Sequence, residues 1–495
     1  MITDNVSSRI ASLSPEKRAL LEKCLSRQGS AFNTFPPSFA QQRLWFIDQL
    51  EPGNKSYIMP TALRHVGSLD VPALEKALTE IVRRHEAVRT TFAAVDGQPV
   101  QVINPAKPIK LPIIDLSHLD ARERKAEASR LANEEAQRPF ELSKGPLFRV
   151  TLIRQAEQDH ILLMTLHHII SDGWSMRVLF KELGALYEAF ANDRSSPLPE
   201  LKIQYADYAQ WQRRWLQGDV LTQQLAYWEK KLAGATHCIE LPTDRSRPAV
   251  QSYRGASEAL ALSAELSTAL RSLGQRADAT LFMTMLAAFK ALLYRYTAQG
   301  DIVVGSPIAG RHHLETEGLI GFFVNMLALR TDVGDNPTFR ELLQRVRQTT
   351  LEAYSHQDVP LEKLIDSLQI ERNPSYQSLF QVVFTLDSNP TGDVQEPSSD
   401  DALRPVDAGF VSTPFDLILD ILDTGRALCG RVMYNPDLFN QSTIVRLVAH
   451  YKMVLAEAAD NPDKRLTEFS LSADESSATV ASVPLHVQLA EEFDF

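Results

Sequence analysis

Residues 159–180 read DHILLMTLHHIISDGWSMRVLF. The apolar run Ile161–Leu166 has the length and composition of a buried strand. It ends in two adjacent histidines, His167 and His168, and a short turn carrying Ser171 and Asp172, either of which suits a helix N-cap. Beyond the turn, Met176, Leu179, Phe180, Leu183, Leu186, Tyr187 and Phe190 recur at helical spacing, the signature of an amphipathic helix. Strand side chains alternate faces, so the histidines point opposite ways if the strand persists through both. One is then free to face a cavity while the other is locked into packing, and the two have different jobs.

The bulk properties narrow the field. At 495 residues the chain is long enough for about three domains, or for two large lobes. A hydrophobic share of 44% with 23% charged residues describes a globular protein with ample core. The net charge of −11 and the lack of a basic cluster argue against nucleic acid as a partner. Cys24, Cys238 and Cys429 are odd in number and widely spaced, which fits a reducing cytoplasm better than a disulfide framework. The N-terminus MITDNVSSRIASL has no signal-peptide core, and the greasiest segment, Leu281 to Tyr294, is interrupted by Lys290 and too short for a bilayer. The expectation is a soluble, cytoplasmic monomer with neither membrane nor nucleic acid as partner.

Taken in order, residues 15–27 predict a helix capped by Ser14, and 28–37 a polar linker. SFAQQRLWFIDQL (38–50) predicts an amphipathic segment that packs its aromatics. Residues 72–85 predict a helix opened by Asp70 and Pro72, leading into RRHEAVRTTF (83–92), where His85, Glu86 and Arg89 read as a solvated charged face. A strand follows over Gln98–Ile103. Residues 192–199 read as a loop joining two halves, and IQYADYAQWQRRW (203–215) as a helix with an aromatic stripe. The apolar helix 281–296 is closed by Gly300 and feeds a short strand, 302–305. The following GSPIAG is not a Gly-x-Ser-x-Gly nucleophile elbow, and His312 and His313 sit in a solvated loop. IGFFVNMLALR (320–330) reads as another buried strand.

His-His-x-x-x-Asp-Gly, 167–173, resembles the signature of acyltransferases that use carrier proteins or coenzyme A, above all the condensation domains of nonribosomal peptide synthetases. The resemblance runs from about Leu13 to about Leu471. SFAQQRLW, RRHEAVRTTF, YADYAQW, FVNMLALR, HQDVPLEKL and ERNPSYQSLFQVVF match the family's other core motifs in order, as do PFDLILDI and YNPDLFNQSTIVRLVAHY later on. Met326 stands where threonine is usual, and Ser378 where proline is common. SFAQQRLW and HHIISDGWS resemble the class that joins an L-donor to an L-acceptor.

The resemblance implies an α/β fold of two chloramphenicol-acetyltransferase-like lobes in a V-shaped pseudo-dimer: 1–37 an N-terminal helix and linker, 38–190 the first lobe, 191–469 the second, and 470–495 a tail that is disordered or docks onto a further synthetase. It implies a tunnel between the lobes, lined by Trp174, Ser171, Asn325 and Ser38. His168 would orient the nucleophile and take its proton, while His167 supports the fold and the Gly173 N–H stabilises the oxyanion. Arg311 would pair with Asp172 as a scaffold, and Arg89 would lie near the floor of the site. No metal or bound cofactor is implied. The acyl or peptidyl donor arrives on the phosphopantetheine arm of a partner carrier protein, and the acceptor is tethered or soluble, an amine or an alcohol. The starting Met1 and the lack of an adenylation domain suggest a free-standing or chain-terminal enzyme.

Other readings compete. An epimerisation domain shares the fold and the histidine motif, but GWSMRVL and FVNMLALR favour condensation. A plant-type coenzyme A acyltransferase would show DFGWG, which the sequence lacks. A metal hydrolase built on His168 and Asp172 would need further ligands. A catalytically silent carrier-binding module keeps no need for an intact His168.

Overall fold

The computed structural model describes residues 33–371, 373–388, 404–406 and 412–471. The helix expected over 15–27 and the tail beyond 471 lie outside the described residues. The strands are β1 (Thr34–Phe35), β2 (Ile58–Val66), β3 (Thr90–Val95), β4 (Gln98–Ile103), β5 (Ile113–Asp115), β6 (Phe148–Ala156) and β7 (Asp159–His167), then β8 (Ala256–Ala261), β9 (Asp301–Ile308), β10 (Asn325–Asp332), β11 (Val382–Ser388), β12 (Arg404–Val406), β13 (Leu417–Asp423) and β14 (Leu428–Tyr434). The helices that matter to the site are α1 (Phe39–Leu50), α2 (Val71–Arg84), α3 (Ala121–Gln137), α4 (Gly173–Ala191), α5 (Tyr205–Trp215), α6 (Gly218–Leu232), α7 (Leu281–Thr297) and α8 (Leu361–Ser367).

Two lobes, each with its own large sheet and core, make up the described chain, together with a small three-stranded sheet ordered β1-β4-β3. In the first, the sheet order is β12-β2-β7-β6-β5, and β7 sits at its centre. Antiparallel pairing with β2 (Ile58↔His167) and β6 (Phe148↔Leu166) fixes its register. Leu162, Met164 and Leu166 face a core built with α2 and α4, whereas Leu163 faces a smaller cluster with Ala128 and Ala132 of α3. A strand covered on both faces reads as a continuous apolar run rather than an alternating one, which is why 161–166 looks as it does. The second sheet runs β10-β9-β11-β13-β14-β8, with β11 parallel to β9 and β13. Beneath it lies α7, buried from Met283 to Leu293, as a helix apolar all round should be. No single helix among the described residues is long and apolar enough to cross a membrane.

Several boundaries differ from the sequence expectations. The division at 190/191 precedes the real change of core: Tyr205 and Ala209 of α5 still bury in the first lobe, and only Trp228 and Leu232 of α6 enter the second. The chain passes between lobes at Gln217–Gly218, where Gly218 has φ +56°. Helix α7 ends on Ala298 in the left-handed conformation, its N–H bonding the Tyr294 carbonyl, and not at Gly300. Gly300 is small for another reason: a Cβ there would stand 2.6 Å from Gly334 Cα. The segment 320–324, expected as strand, is irregular, and strand begins only at Asn325.

That irregular segment is what makes the lobes one machine. Asn325 pairs with Ile308, so residues 309–324 form an excursion from the second sheet. It carries Leu319, Ile320, Phe322 and Phe323 into the core of the first lobe. The chain crosses again at β12, which pairs antiparallel with β2 and extends the first sheet.

Candidate active site

Strand β7 ends at His167, and His168 opens a short 3-10 turn, His168–Ile170. The two rings diverge because the strand stops between them, not because it alternates through both. His167 is buried, its ring edge-on to Phe140 at 5.9 Å, and its Nδ1 accepts the Ile169 N–H at 3.1 Å. Burial, then the charges of His168 and Arg149, pushes its pKa down to about 3. It stays neutral and serves as a cap for the turn.

His168 is placed differently. Its Nδ1 lies 2.8 Å from the Ser171 carbonyl, which can only accept, so Nδ1 carries the proton and Nε2 keeps a lone pair. The ring packs edge-on against Phe322 of the crossing segment at 5.0 Å. Its backbone N–H is fixed by the Tyr57 carbonyl at 2.8 Å. Burial lowers its pKa, with the Arg43 charge acting the same way and Asp172 and the Ser171 carbonyl opposing. A neutral imidazole of fixed tautomer is what a proton acceptor requires.

Of the two capping candidates, Asp172 is the N-cap of α4. Its Oδ1 accepts the Ser175 N–H at 2.8 Å and the Ser175 hydroxyl at 2.7 Å. The same oxygen lies 3.2 Å from Arg311 Nη2, and Oδ2 accepts the Phe323 N–H at 2.9 Å. Arg311 also donates to the carbonyls of Thr316 and Leu319, and its guanidinium stacks over Phe323 at 3.9 Å. Burial lowers its pKa while Asp172 holds the charge in place. Both oxygens of the carboxylate are thus used to bind the crossing segment to the helix that follows the histidines. Gly173 begins α4, the position from which a backbone N–H faces outward at a helix start.

Other expected residues fall elsewhere. Ser171 and Ser38 are fully buried and do not line an open channel. Ser38 caps α1 through the Gln41 N–H and accepts the Tyr205 hydroxyl at 2.8 Å, because an aromatic OH sunk in the core must find a partner. Trp174 is half-exposed, and its indole N–H donates to the Glu317 carbonyl at 2.8 Å. Asn325 lines a cavity between the lobes, its amide bound to the Gln357 and Val359 carbonyls. Arg89 does not reach this centre; it donates to the Asn104 carbonyl and the Glu86 carboxylate, tying the β3–β4 hairpin to the end of α2.

The residue of that motif that does contact the crossing segment is His85, which sequence reasoning leaves on a solvated face. It is buried, its Nδ1 accepting the Ile320 N–H at 3.3 Å and its Nε2 facing Glu182 Oε2 at 2.9 Å. Arg84 grips the same carboxylate from 3.0 and 3.1 Å. The available signal is Glu182 itself, an acid lying among the buried positions of α4. Gly321 is equally diagnostic: a Cβ there would stand 2.0 Å from the Tyr205 ring. Among the described residues, no group of three or more His, Cys, Asp or Glu is arranged to hold a metal ion.

The family model described as "Condensation domain" matches residues 32–480. A component of the linear gramicidin synthase of Brevibacillus parabrevis is 51% identical over 436 residues, covering 88% of this chain and 8% of that protein. Phosphinothricin tripeptide synthetase PhsC of Streptomyces viridochromogenes is 40% identical over 506 residues, covering 98% of this chain and 46% of its own length. The chain therefore spans less than half of either relative. Among solved structures, the X-domain from teicoplanin biosynthesis aligns with a TM-score of 0.79 at 29% identity, covering 90% of this chain and 99% of that one.

Proposed function

The chain belongs to the condensation-domain family, with its two-lobed chloramphenicol-acetyltransferase-like fold, and we propose that it transfers an acyl or peptidyl group from a carrier-protein thioester to an amine in nonribosomal peptide biosynthesis. The observation that carries this reading is the His168 Nδ1–Ser171 carbonyl hydrogen bond of 2.8 Å, which leaves Nε2 as a fixed acceptor between two lobes. In the proposed step the acceptor nitrogen attacks the thioester carbonyl; the C–N bond forms as the C–S bond breaks. His168 Nε2 takes the proton lost from nitrogen and returns it to the departing thiolate, so that the products are an amide and the free thiol of the pantetheine arm. The Gly173 N–H, at the positive end of α4, faces the developing oxyanion.

Magnitudes apportion the work. A free α-amine has a pKa of about 7.7–8.0, so some neutral nucleophile exists at pH 7. General-base help contributes roughly 10²–10⁴-fold, whereas aligning two tethered reactants contributes about 7–11 kcal/mol. For an amine, alignment dominates and His168 refines it. For an alcohol, whose strongly nucleophilic alkoxide is scarcely populated near neutrality, the base matters more, and the product would be an ester. In this reading the donor is carried on a partner carrier protein, Asn325 faces the substrate channel, donor and acceptor are L-configured, and the chain acts as a monomer.

The test is to load an acyl donor on a carrier protein and offer soluble amines, alcohols and carrier-bound aminoacyl acceptors, following donor loss and product by intact-protein mass spectrometry. Product formation identifies amide against ester and soluble against tethered acceptors. Exchange of the tethered α-proton with deuterium, without transfer, would instead identify an epimerase.

A further inference from the structure

Residues 320–323 belong to no helix or strand, and side chains of the first lobe hold their backbone instead. The Ile320 N–H donates to His85 just past α2, the Phe322 carbonyl lies 2.5 Å from the Tyr205 hydroxyl of α5, and the Phe323 N–H donates to Asp172. Gly321, in the middle, is gripped twice by one side chain. Ser175 Oγ, in the first turn of α4, accepts the Gly321 N–H at 3.0 Å and donates to the Gly321 carbonyl at 2.8 Å. It also accepts Arg311 Nη2 at 2.9 Å, and its proton is shared with Asp172 Oδ1 at 2.7 Å. A hydroxyl offers one proton and two lone pairs, so the whole bonding capacity of Ser175 is in use. The serine is fully buried, and the Gly321 groups it serves have no solvent to turn to.

Gly321 immediately precedes Phe322, whose ring meets the His168 imidazole edge-on at 5.0 Å. The imidazole itself is held by one ring hydrogen bond, from Nδ1 to the Ser171 carbonyl. A ring held at one atom keeps freedom to pivot about that bond, and a second contact is needed to aim Nε2. We propose that Ser175 is a positioning residue for the transfer: by holding both backbone polar groups of Gly321 it seats the Phe322 ring against His168 and so fixes the direction of Nε2. The proposal rests on the reading of His168 as proton acceptor. Ser175 acts through Gly321 and Phe322, not by contact with the reacting groups. Alanine in its place leaves the Gly321 N–H and carbonyl without partners and lets the segment re-seat. Rates of aligned reactions are sensitive to such shifts, and a displacement of about 1 Å costs up to about 10²-fold.

The test compares Ser175→Ala, Phe322→Leu and the double variant in single-turnover transfer from a loaded carrier protein. The His168 ring is followed separately by NMR of histidine-labelled protein, its signal assigned against His168→Gln. Ser175→Ala is expected to lower the saturated rate by roughly 10–10²-fold while the half-saturating carrier concentration stays as it was. The ring-current shift that Phe322 imposes on His168 should change in Ser175→Ala in the direction it takes in Phe322→Leu. Because both residues act along one chain of contacts, the double variant should be no slower than the slower single variant. A merely structural serine gives a different pattern: Ser175→Ala would lose stability yet keep the saturated rate and the His168 signal, as expected of Leu183→Ala, a core substitution in the same helix. That result overturns the proposal, as does a multiplicative loss in the double variant or a change confined to half-saturation. If Ser175→Ala does not fold, Ser175→Cys, a weaker donor of similar shape, is expected to give the same shift and a smaller loss, and a wild-type signal and rate there overturn the proposal. The His168 signal is read without substrate, so a ring that shifts in a protein that transfers nothing supports the positioning and counts against the transferase reading alone.

Discussion

The Asp172 carboxylate and the Arg311 guanidinium meet at 3.2 Å with both side chains almost wholly buried, one at the start of α4 and the other on the segment returning from the second lobe. An ion pair this deep is not by itself a source of stability, because desolvation offsets attraction. Its effect is geometric: it fixes the turn carrying His168 to the Phe322 that packs on it. Removing one member leaves the other charged and buried. Arg311→Ala and Asp172→Ala should therefore each cost about 3–5 kcal/mol, read from denaturant midpoints, and their combination should cost less than the sum. Arg311→Lys should not rescue, since a lysine cannot bind the Thr316 and Leu319 carbonyls and Asp172 in one plane.

His167 predicts an acid-sensitive fold. Its folded pKa of about 3 lies below the unfolded value of about 6.5, so the unfolded chain binds the proton first. The stabilisation is complete above pH 6.5 and declines as pH falls from there toward 3, by at most about 1.4 kcal/mol per unit. His167→Gln should flatten that slope in unfolding measurements at pH 7, 6 and 5, while leaving the stability above pH 7 nearly as it was for any variant that still caps Ile169.

Lys290 makes a similar statement on the alkaline side. It is buried in α7 with its ammonium against the Leu329 carbonyl and, at 2.8 Å, the Thr331 hydroxyl, and burial lowers its pKa to about 7. The unfolded chain holds this proton up to about pH 10.4, so the lysine's contribution to stability rises with pH between about 7 and 10. Lys290→Met should abolish that rise, and its stability relative to the wild type should fall steadily across the same window.

The buried cluster of Arg84, His85 and Glu182 should behave as a unit. Glu182→Gln leaves Arg84 without its counter-charge and is expected to destabilise by several kcal/mol, of the order seen when one member of a buried pair is removed. His85→Ala should loosen the Ile320 backbone. Amide exchange at Ile320 and Gly321 should then quicken more than exchange within β7.

How much of this is legible in the sequence follows from range. The β7 strand, the turn and the amphipathic α4 are local, and 159–180 specifies them through apolar runs, helical spacing and a capping aspartate. The capped helix after Asp70 is local in the same way and is observed over Val71–Arg84. The pairing of Arg311 with Asp172 spans the lobes and comes from family resemblance, not from any property of either residue. Burial of charge is the systematic blind spot. Arg84, His85 and Glu182 look like surface residues one at a time and become core residues only when α2, α4 and the 309–324 excursion are brought together. Ser38 and Ser171 mislead in the other direction: small polar residues beside a motif suggest a channel wall, but each is consumed by capping or turn geometry. The exchange of segments between lobes is invisible for the same reason, since nothing in residues 319–323 distinguishes the core they join from the one they leave.

The measurement that bears most directly on the account is single-turnover acyl transfer from a loaded carrier protein as a function of pH, for wild type and His168→Ala, with folding of the variant checked by thermal unfolding. A neutral His168 that accepts the proton through Nε2 predicts a loss of about 10²–10⁴-fold in His168→Ala with an alcohol acceptor, a smaller loss with an amine, and an acid limb present in the wild type and absent in the variant. Transfer by a folded His168→Ala at rates within a few-fold of the wild type, with the same acid limb, would contradict it.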